Sequence, residues 1–159
     1  LYKNQISDVS MLVGSTSLTF LELSDNNVTD LTPLAGLKNL EELSLFRNNI
    51  SDVSPLAKLT NLRDLPLGDN QIKDISSLAG LTHLIYLDLN GNQITDLAPL
   101  KQLNELNKLF LLGNNLTDVT PLAGLRNLTD LILAGNPVPD DQIEMLKKAL
   151  PNCSIHFKN

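Results

Sequence analysis

Seven asparagines fall 22 residues apart, at Asn4, Asn26, Asn48, Asn70, Asn92, Asn114 and Asn136. The spacing never slips, and a fixed period of this length constrains the fold more than any other feature of the chain. Around the last six runs the pattern L-x-x-L-x-L-x-x-N-x-[ILV], as in "LEELSLFRNNI" (40–50), "LIYLDLNGNQI" (84–94) and "LNKLFLLGNNL" (106–116). A second half follows it, in "SDVSPLAKL" (51–59), "KDISSLAGL" (73–81), "TDLAPLKQL" (95–103) and "TDVTPLAGL" (117–125).

Each half has a direct physical reading. The two leucines of L-x-L share one face of a short strand, because side chains alternate in direction along it. Each repeat then turns and returns on the opposite side, so successive strands lie parallel. An asparagine at a fixed turn position is expected to be buried and to satisfy backbone groups that would otherwise be orphaned, stacking into a ladder. Asp8, Asp30, Asp52, Asp74, Asp96 and Asp118 are expected to cap the short helical turn that follows. Proline at 33, 55, 99 and 121 suits the start of that turn.

With its six agreeing registers, the pattern resembles the leucine-rich repeat family, in the 22-residue class of bacterial internalins and of a regulatory subunit of protein phosphatase 1. The resemblance covers residues 4–157. It implies an α/β repeat fold, a right-handed solenoid with a concave parallel β-sheet, convex 3₁₀ turns and a helix–strand cap at the C-terminal end. It divides the chain into a partial repeat (1–17), the 22-residue repeats (18–139) and the cap (140–159). The resemblance also implies a non-enzymatic module that binds a protein or peptide on the concave face, at the cell surface or secreted. The alternative it leaves is a regulatory domain of a larger intracellular signalling protein.

At the C-terminal end, Asp141 and Glu144 form a capping-box-like pair, and Ile143, Leu146 and Leu150 form a helical apolar stripe. Counting on by 22 puts Cys153 and Ile155 after Leu131 and Leu133, which predicts a last strand over 152–157 with Cys153 in a leucine position. At the other end Val9 and Leu12 are expected at an open face, and "LYKNQISDVS" reads as mid-pattern, so the natural chain is expected to continue upstream.

Residues that the repeat demands are not signs of function, so the informative ones are those it leaves free on the sheet. The third position of each repeat carries Phe20, Glu42, Asp64, Tyr86, Lys108 and Asp130. The fifth carries Glu22, Ser44, Pro66, Asp88, Phe110 and Ile132; the seventh carries Ser24, Phe46, Gly68, Asn90, Leu112 and Ala134. The eighth holds Asp25, Arg47 and Asp69, then Gly91, Gly113 and Gly135. Four of the six aromatic residues, Phe20, Phe46, Tyr86 and Phe110, fall in these columns, where the core does not need them. Clustered aromatic and aliphatic side chains mark a contact surface. The expected partner-binding set is Phe20, Glu22, Glu42, Phe46, Asp64, Tyr86, Asp88, Lys108, Phe110, Leu112 and Ile132. Its acidic members favour a basic partner, whereas Asp25, Arg47 and Asp69, like Glu41 and Arg63, alternate in sign and are expected to pair with one another. Pro66 removes one ladder hydrogen bond from a central strand.

The net charge of −6 and pI near 4.7 argue against nucleic acid, which is held largely by Lys and Arg. No apolar run approaches the length of a membrane span. Catalysis is not expected. Cys153 and His156 stand three apart in the expected strand and so point oppositely, His83 lies elsewhere, and these residues cannot assemble a zinc site. No cofactor is expected, and the chain is expected to be a monomer.

Overall fold

The computed structural model describes residues 1–158. Seven three-residue strands, β1 (Phe20–Glu22), β2 (Glu42–Ser44), β3 (Asp64–Pro66), β4 (Tyr86–Asp88), β5 (Lys108–Phe110), β6 (Asp130–Ile132) and β7 (Ser154–His156), form one parallel sheet in chain order. Between successive strands from β1 to β6 the chain returns through a 3₁₀ turn: Thr32–Leu34, Ser54–Lys58, Ser76–Gly80, Ala98–Gln102 and Thr120–Gly124. A shorter one, Ser10–Leu12, precedes β1. Strands spaced about 4.8 Å apart sit closer than the bulkier turns can, so the sheet takes the inner side of the curve. This is the expected solenoid.

The core is a stack of leucines, isoleucines and valines enclosed between sheet and turns. Leu43, Leu45, Leu56, Leu59 and Leu62 of one repeat are fully buried, as are Leu87, Leu89, Leu100, Leu103 and Leu106 two repeats later. Each such side chain contributes about 1.5–3 kcal/mol relative to exposure. Val9 belongs to this core and Leu12 is half-buried, so the expected open face is shown instead by Met11 and Val13, both exposed.

The asparagines join one repeat to the next. Asn70 Nδ2 donates to the carbonyls of Leu67 and Gly68 in its own repeat and of Leu45 in the previous one, at 3.0, 3.2 and 3.0 Å. Its Oδ1 accepts the Ile50 N–H at 2.9 Å. Asn26, Asn48, Asn92, Asn114 and Asn136 repeat this pattern, and Asn4 makes its intra-repeat half. The expected ladder is present.

The aspartates act one residue earlier than a helix cap. Asp30 Oδ1 accepts the N–H of Thr32, the first residue of its turn, at 2.8 Å, while Leu31 occupies the cap position. Asp8, Asp52, Asp74, Asp96 and Asp118 do the same at 2.8 Å. These are Asx turns that aim the chain into the 3₁₀ segment.

The C-terminal cap has the expected helix, starting at Asp140, and the expected last strand, but differs from expectation in its capping box and its register. The helix α1 (Asp140–Ala149) starts after Pro139, and no side chain caps it. Glu144 is drawn to Lys147 at 2.7 Å, so the Asp141–Glu144 box does not form. The strand register also slips by two: Leu131 pairs with Ile155 rather than Cys153. An α-helix rises about 1.5 Å per residue where a 3₁₀ turn rises about 2.0 Å, so a helix there consumes more chain for the same return path. Cys153 is therefore half-buried outside β7, and Ser154 and His156 inherit the third and fifth columns.

The β2–β3 junction is the weak seam of the sheet. Pro66 has no N–H to give, and the register there contracts to Glu42↔Asp64, whereas every other neighbouring pair matches three residues.

At the eighth position every repeat turns through left-handed backbone. The φ values are 53° at Asp25, 51° at Arg47, 53° at Asp69, 60° at Gly91, 64° at Gly113 and 70° at Gly135. Glycine adopts this at no steric cost, while other residues are strained by about 1–2 kcal/mol.

Two substitutions test this framework by urea unfolding. Asn70→Ala leaves the buried Ile50 N–H without a partner and should cost about 1–3 kcal/mol for the orphaned group. It also takes one of two hydrogen bonds from each of the Leu45, Leu67 and Gly68 carbonyls, which keep those from Asn48, Asn92 and the Arg47 N–H. Gly91→Ala should cost about 1–2 kcal/mol for the left-handed backbone alone, and its Cβ would also overlap Asp69 Oδ1. An unchanged unfolding midpoint in either variant would contradict the assignment.

Candidate functional site

Alternation along each strand decides what the sheet shows. The central residue of each of β1 to β6 points into the core, so the third and fifth positions point out of it. Register then aligns them into rows. Phe20, Glu42, Asp64, Tyr86, Lys108, Asp130 and Ser154 form one, and Pro66, Asp88, Phe110, Ile132 and His156 follow one another in the next, with Glu22 and Ser44 before them. The strands' parallel order brings nine of the eleven expected residues to one face, and Phe46 and Leu112 follow two residues past the ends of β2 and β5.

Burial differs among them. Phe20 and Leu112 are exposed, at 56% and 43%. Glu42 and Lys108 are exposed too, and Glu22, Phe46, Asp64, Tyr86, Phe110 and Ile132 are half-buried. Asp88 is buried, contrary to its expected place on an open surface. The cause lies at Gly68, where a Cβ would stand 3.0 Å from both Asp88 Oδ1 and Phe46 Cδ2. The missing side chain opens a well into which Asp88 and Phe46 settle.

The aromatic residues are locked into defined poses. Tyr86 and Phe110 meet edge to face, with centroids 5.4 Å apart and rings at 86°, an arrangement favourable by about 0.5–1.5 kcal/mol. Arg47 lies over Phe46 at 4.9 Å while reaching Asp69 at 3.2 Å and Asp25 at 3.8 Å, so the expected pairing in the eighth column is present. Glu41 and Arg63 form no ion pair; they are joined only through backbone, Arg63 N–H to the Glu41 carbonyl at 2.8 Å. Next to the aromatic pair lies a hollow lined by Asp64, Ile85, Tyr86, Asn107, Lys108 and Phe110.

Ile85 is a member that column counting overlooked. Its position holds Thr19, Glu41, Arg63, Asn107 and Thr129 in other repeats, so a lone isoleucine in a polar column was the available signal. It is exposed. Ser154 and His156, 3.1 Å apart, were hidden by the two-residue slip at the cap.

The face is electrostatically tense on its N-terminal half. Burial first, and the Glu42 carboxylate second, raise the pKa of Asp64 above its ordinary value. Burial also raises Asp88, with Asp69 adding to it, against the opposing pull of the Asn90 N–H at 2.9 Å. Tyr86 is pushed up to about 12 by burial, then by Asp88 and Asp64. A carboxyl raised in the folded state stabilises the fold fully below its unfolded pKa, and that contribution is lost as pH rises through the folded pKa. The fold therefore disfavours ionisation of both aspartates.

Among the described residues, no group of three His, Cys, Asp or Glu side chains is placed to hold a metal ion, and no helix is long and apolar enough to cross a membrane. Burial and Asp130 push the Cys153 thiol up to about 11, the reverse of what an activated nucleophile needs.

Residues 38–80 and 60–102 match a family model described as leucine rich repeats (2 copies), and residues 14–31 match a second leucine rich repeat model. Among solved structures, internalin C2 of Listeria monocytogenes is 40% identical with a TM-score of 0.92, covering 100% of this chain and 68% of its own. A leucine-rich-repeat protein of Leptospira interrogans is 32% identical with a TM-score of 0.88, covering 96% of this chain and 40% of its own. The internalin inlF of Listeria monocytogenes is 31% identical with a TM-score of 0.74, over 98% and 53%. No curated protein matches this chain.

Asp64→Asn should be more stable than the wild type at pH 7, because it removes a charge that the fold disfavours. The gain should shrink as pH falls below the ordinary carboxylate value of 3.8, where wild-type Asp64 is itself neutral. Urea midpoints of the two proteins at both pH values check this; a difference that grows on acidification has the wrong sign.

Proposed function

The chain belongs to the leucine-rich repeat family in its internalin-like class, and on that premise we propose that its ligand, a protein or peptide, is held on the concave sheet. As a family member it is a protein–protein interaction module. The observation that carries the finer reading is the aromatic pair of Tyr86 and Phe110, standing on the sheet between exposed Ile85 and Leu112. Neither ring is required by the repeat, whose core needs only the leucines between them.

Such side chains are the kind that carry binding energy, since rigid aromatics bury large area at small entropic cost. Completing the burial of Phe110 against a partner contributes at most the roughly 1.5–3 kcal/mol of a fully buried side chain. The likeness to proteins of Listeria and Leptospira supports a bacterial origin. Nothing in this reading calls for catalysis or nucleic acid, and the ligand is held by a monomer.

Phe110→Asp and Tyr86→Ala, each with an unchanged melting profile, should lose the native partner in an affinity pull-down from the organism's target cells. Retention of that partner by both variants would remove the concave face from the reading.

A further inference from the structure

The concave face is divided in its chemistry. On its N-terminal half the carboxylates of Glu22, Glu42, Asp64 and Asp88 meet no lysine or arginine within 4.0 Å among the described residues. Arg63, next to Asp64 in sequence, forms no ion pair among the described residues, and Arg47 is already committed to Asp25, Asp69 and the Phe46 ring. Glu42 and Asp64 face each other across one strand spacing, and the Tyr86 ring follows next in register. From there the surface turns apolar, through Ile85, Tyr86, Phe110 and Leu112. Charge and apolar patch lie in series across the strands.

We propose that the ligand is an extended polypeptide segment that places a lysine or arginine between Glu42 and Asp64 and an apolar side chain on Tyr86 and Phe110. This rests on the concave-face reading above. A cation there meets two carboxylates that now only repel each other, and it lies beside the negative face of an aromatic ring. Asp64 on β3 and Phe110 on β5 are two strand spacings apart, about 10 Å, which an extended chain crosses in about three residues. Lys108, next after Tyr86 in the same row, repels a cation placed one step too far and so sets which way the segment runs. The uncompensated acid disfavours phosphate-bearing ligands for the same reason that it favours a base.

The test is selection from a library of random dodecapeptides on the immobilised 159-residue chain, followed by titration of the enriched peptides. The expected winners carry Lys or Arg about three residues from an aromatic or aliphatic residue. Their affinity should fall roughly tenfold in a Glu42→Gln, Asp64→Asn double variant and should fall with added salt. Neutral or acidic winners, no enrichment, or equal affinity for the double variant would overturn the proposal. If such peptides still lose affinity on Phe110→Ala, the concave-face reading stands and only the ligand chemistry falls. If neither Phe110→Ala nor Tyr86→Ala weakens any peptide, both fall. Dimerisation of the chain in sedimentation equilibrium, abolished by Phe110→Asp, would assign the face to a second copy and overturn the proposal as well.

Discussion

Every later feature of this structure depends on one buried amide. An asparagine side chain offers two donors and one strong acceptor, and at each repeat all of these are used on backbone groups, some in its own turn and one or two in the turn before. Leucine burial alone would hold the repeats together without fixing how one sits on the next, because dispersion and apolar burial are nearly indifferent to small slides. The amide is not indifferent, since a slide would strand several buried polar groups at once. Phase is thereby fixed, and with it which side chains the sheet displays.

That division of labour explains what the sequence disclosed. The amide, the L-x-L pair and the turn aspartate each have a single geometric solution, so strands β1 to β6, the 3₁₀ turns and the ladder were legible by counting. The columns of the sheet follow from the same count, and Phe110, Tyr86 and Leu112 stand where it places them. Counting fails where the period is broken or where a neighbour is absent. At the cap, an α-helix in place of a 3₁₀ turn takes up two further residues, so Cys153 leaves the core position assigned to it and His156 joins the face. At Gly68, a missing side chain draws Asp88 down from the surface, and no pattern within Asp88's own repeat signals that. The Asp141–Glu144 pair fails for a third reason, a rival for one partner: Lys147 lies one helical turn beyond Glu144 and takes its carboxylate.

The acidic half of the face is where local rules are broken. Pro66 interrupts hydrogen bonding at the β2–β3 seam, Asp64 and Asp88 carry charge into surroundings that disfavour it, and Asp25, Arg47 and Asp69 hold left-handed backbone that glycine holds more easily. Proteins accept such costs chiefly at sites where something other than folding is selected. The same three repeats hold Glu42, Phe46 and Asp64, so strain and candidate chemistry coincide. On the C-terminal half, where glycines occupy the left-handed position, the face is correspondingly relaxed and greasy.

In-register parallel strands also turn the inner surface into a graduated ruler. Its divisions are about 4.8 Å, and each mark carries one side chain that the leucine core and the asparagine ladder do not need. A lineage can therefore rewrite the message position by position, or lengthen it by whole repeats, without renegotiating the fold. Recognition on such a surface is a matter of spelling rather than of shape.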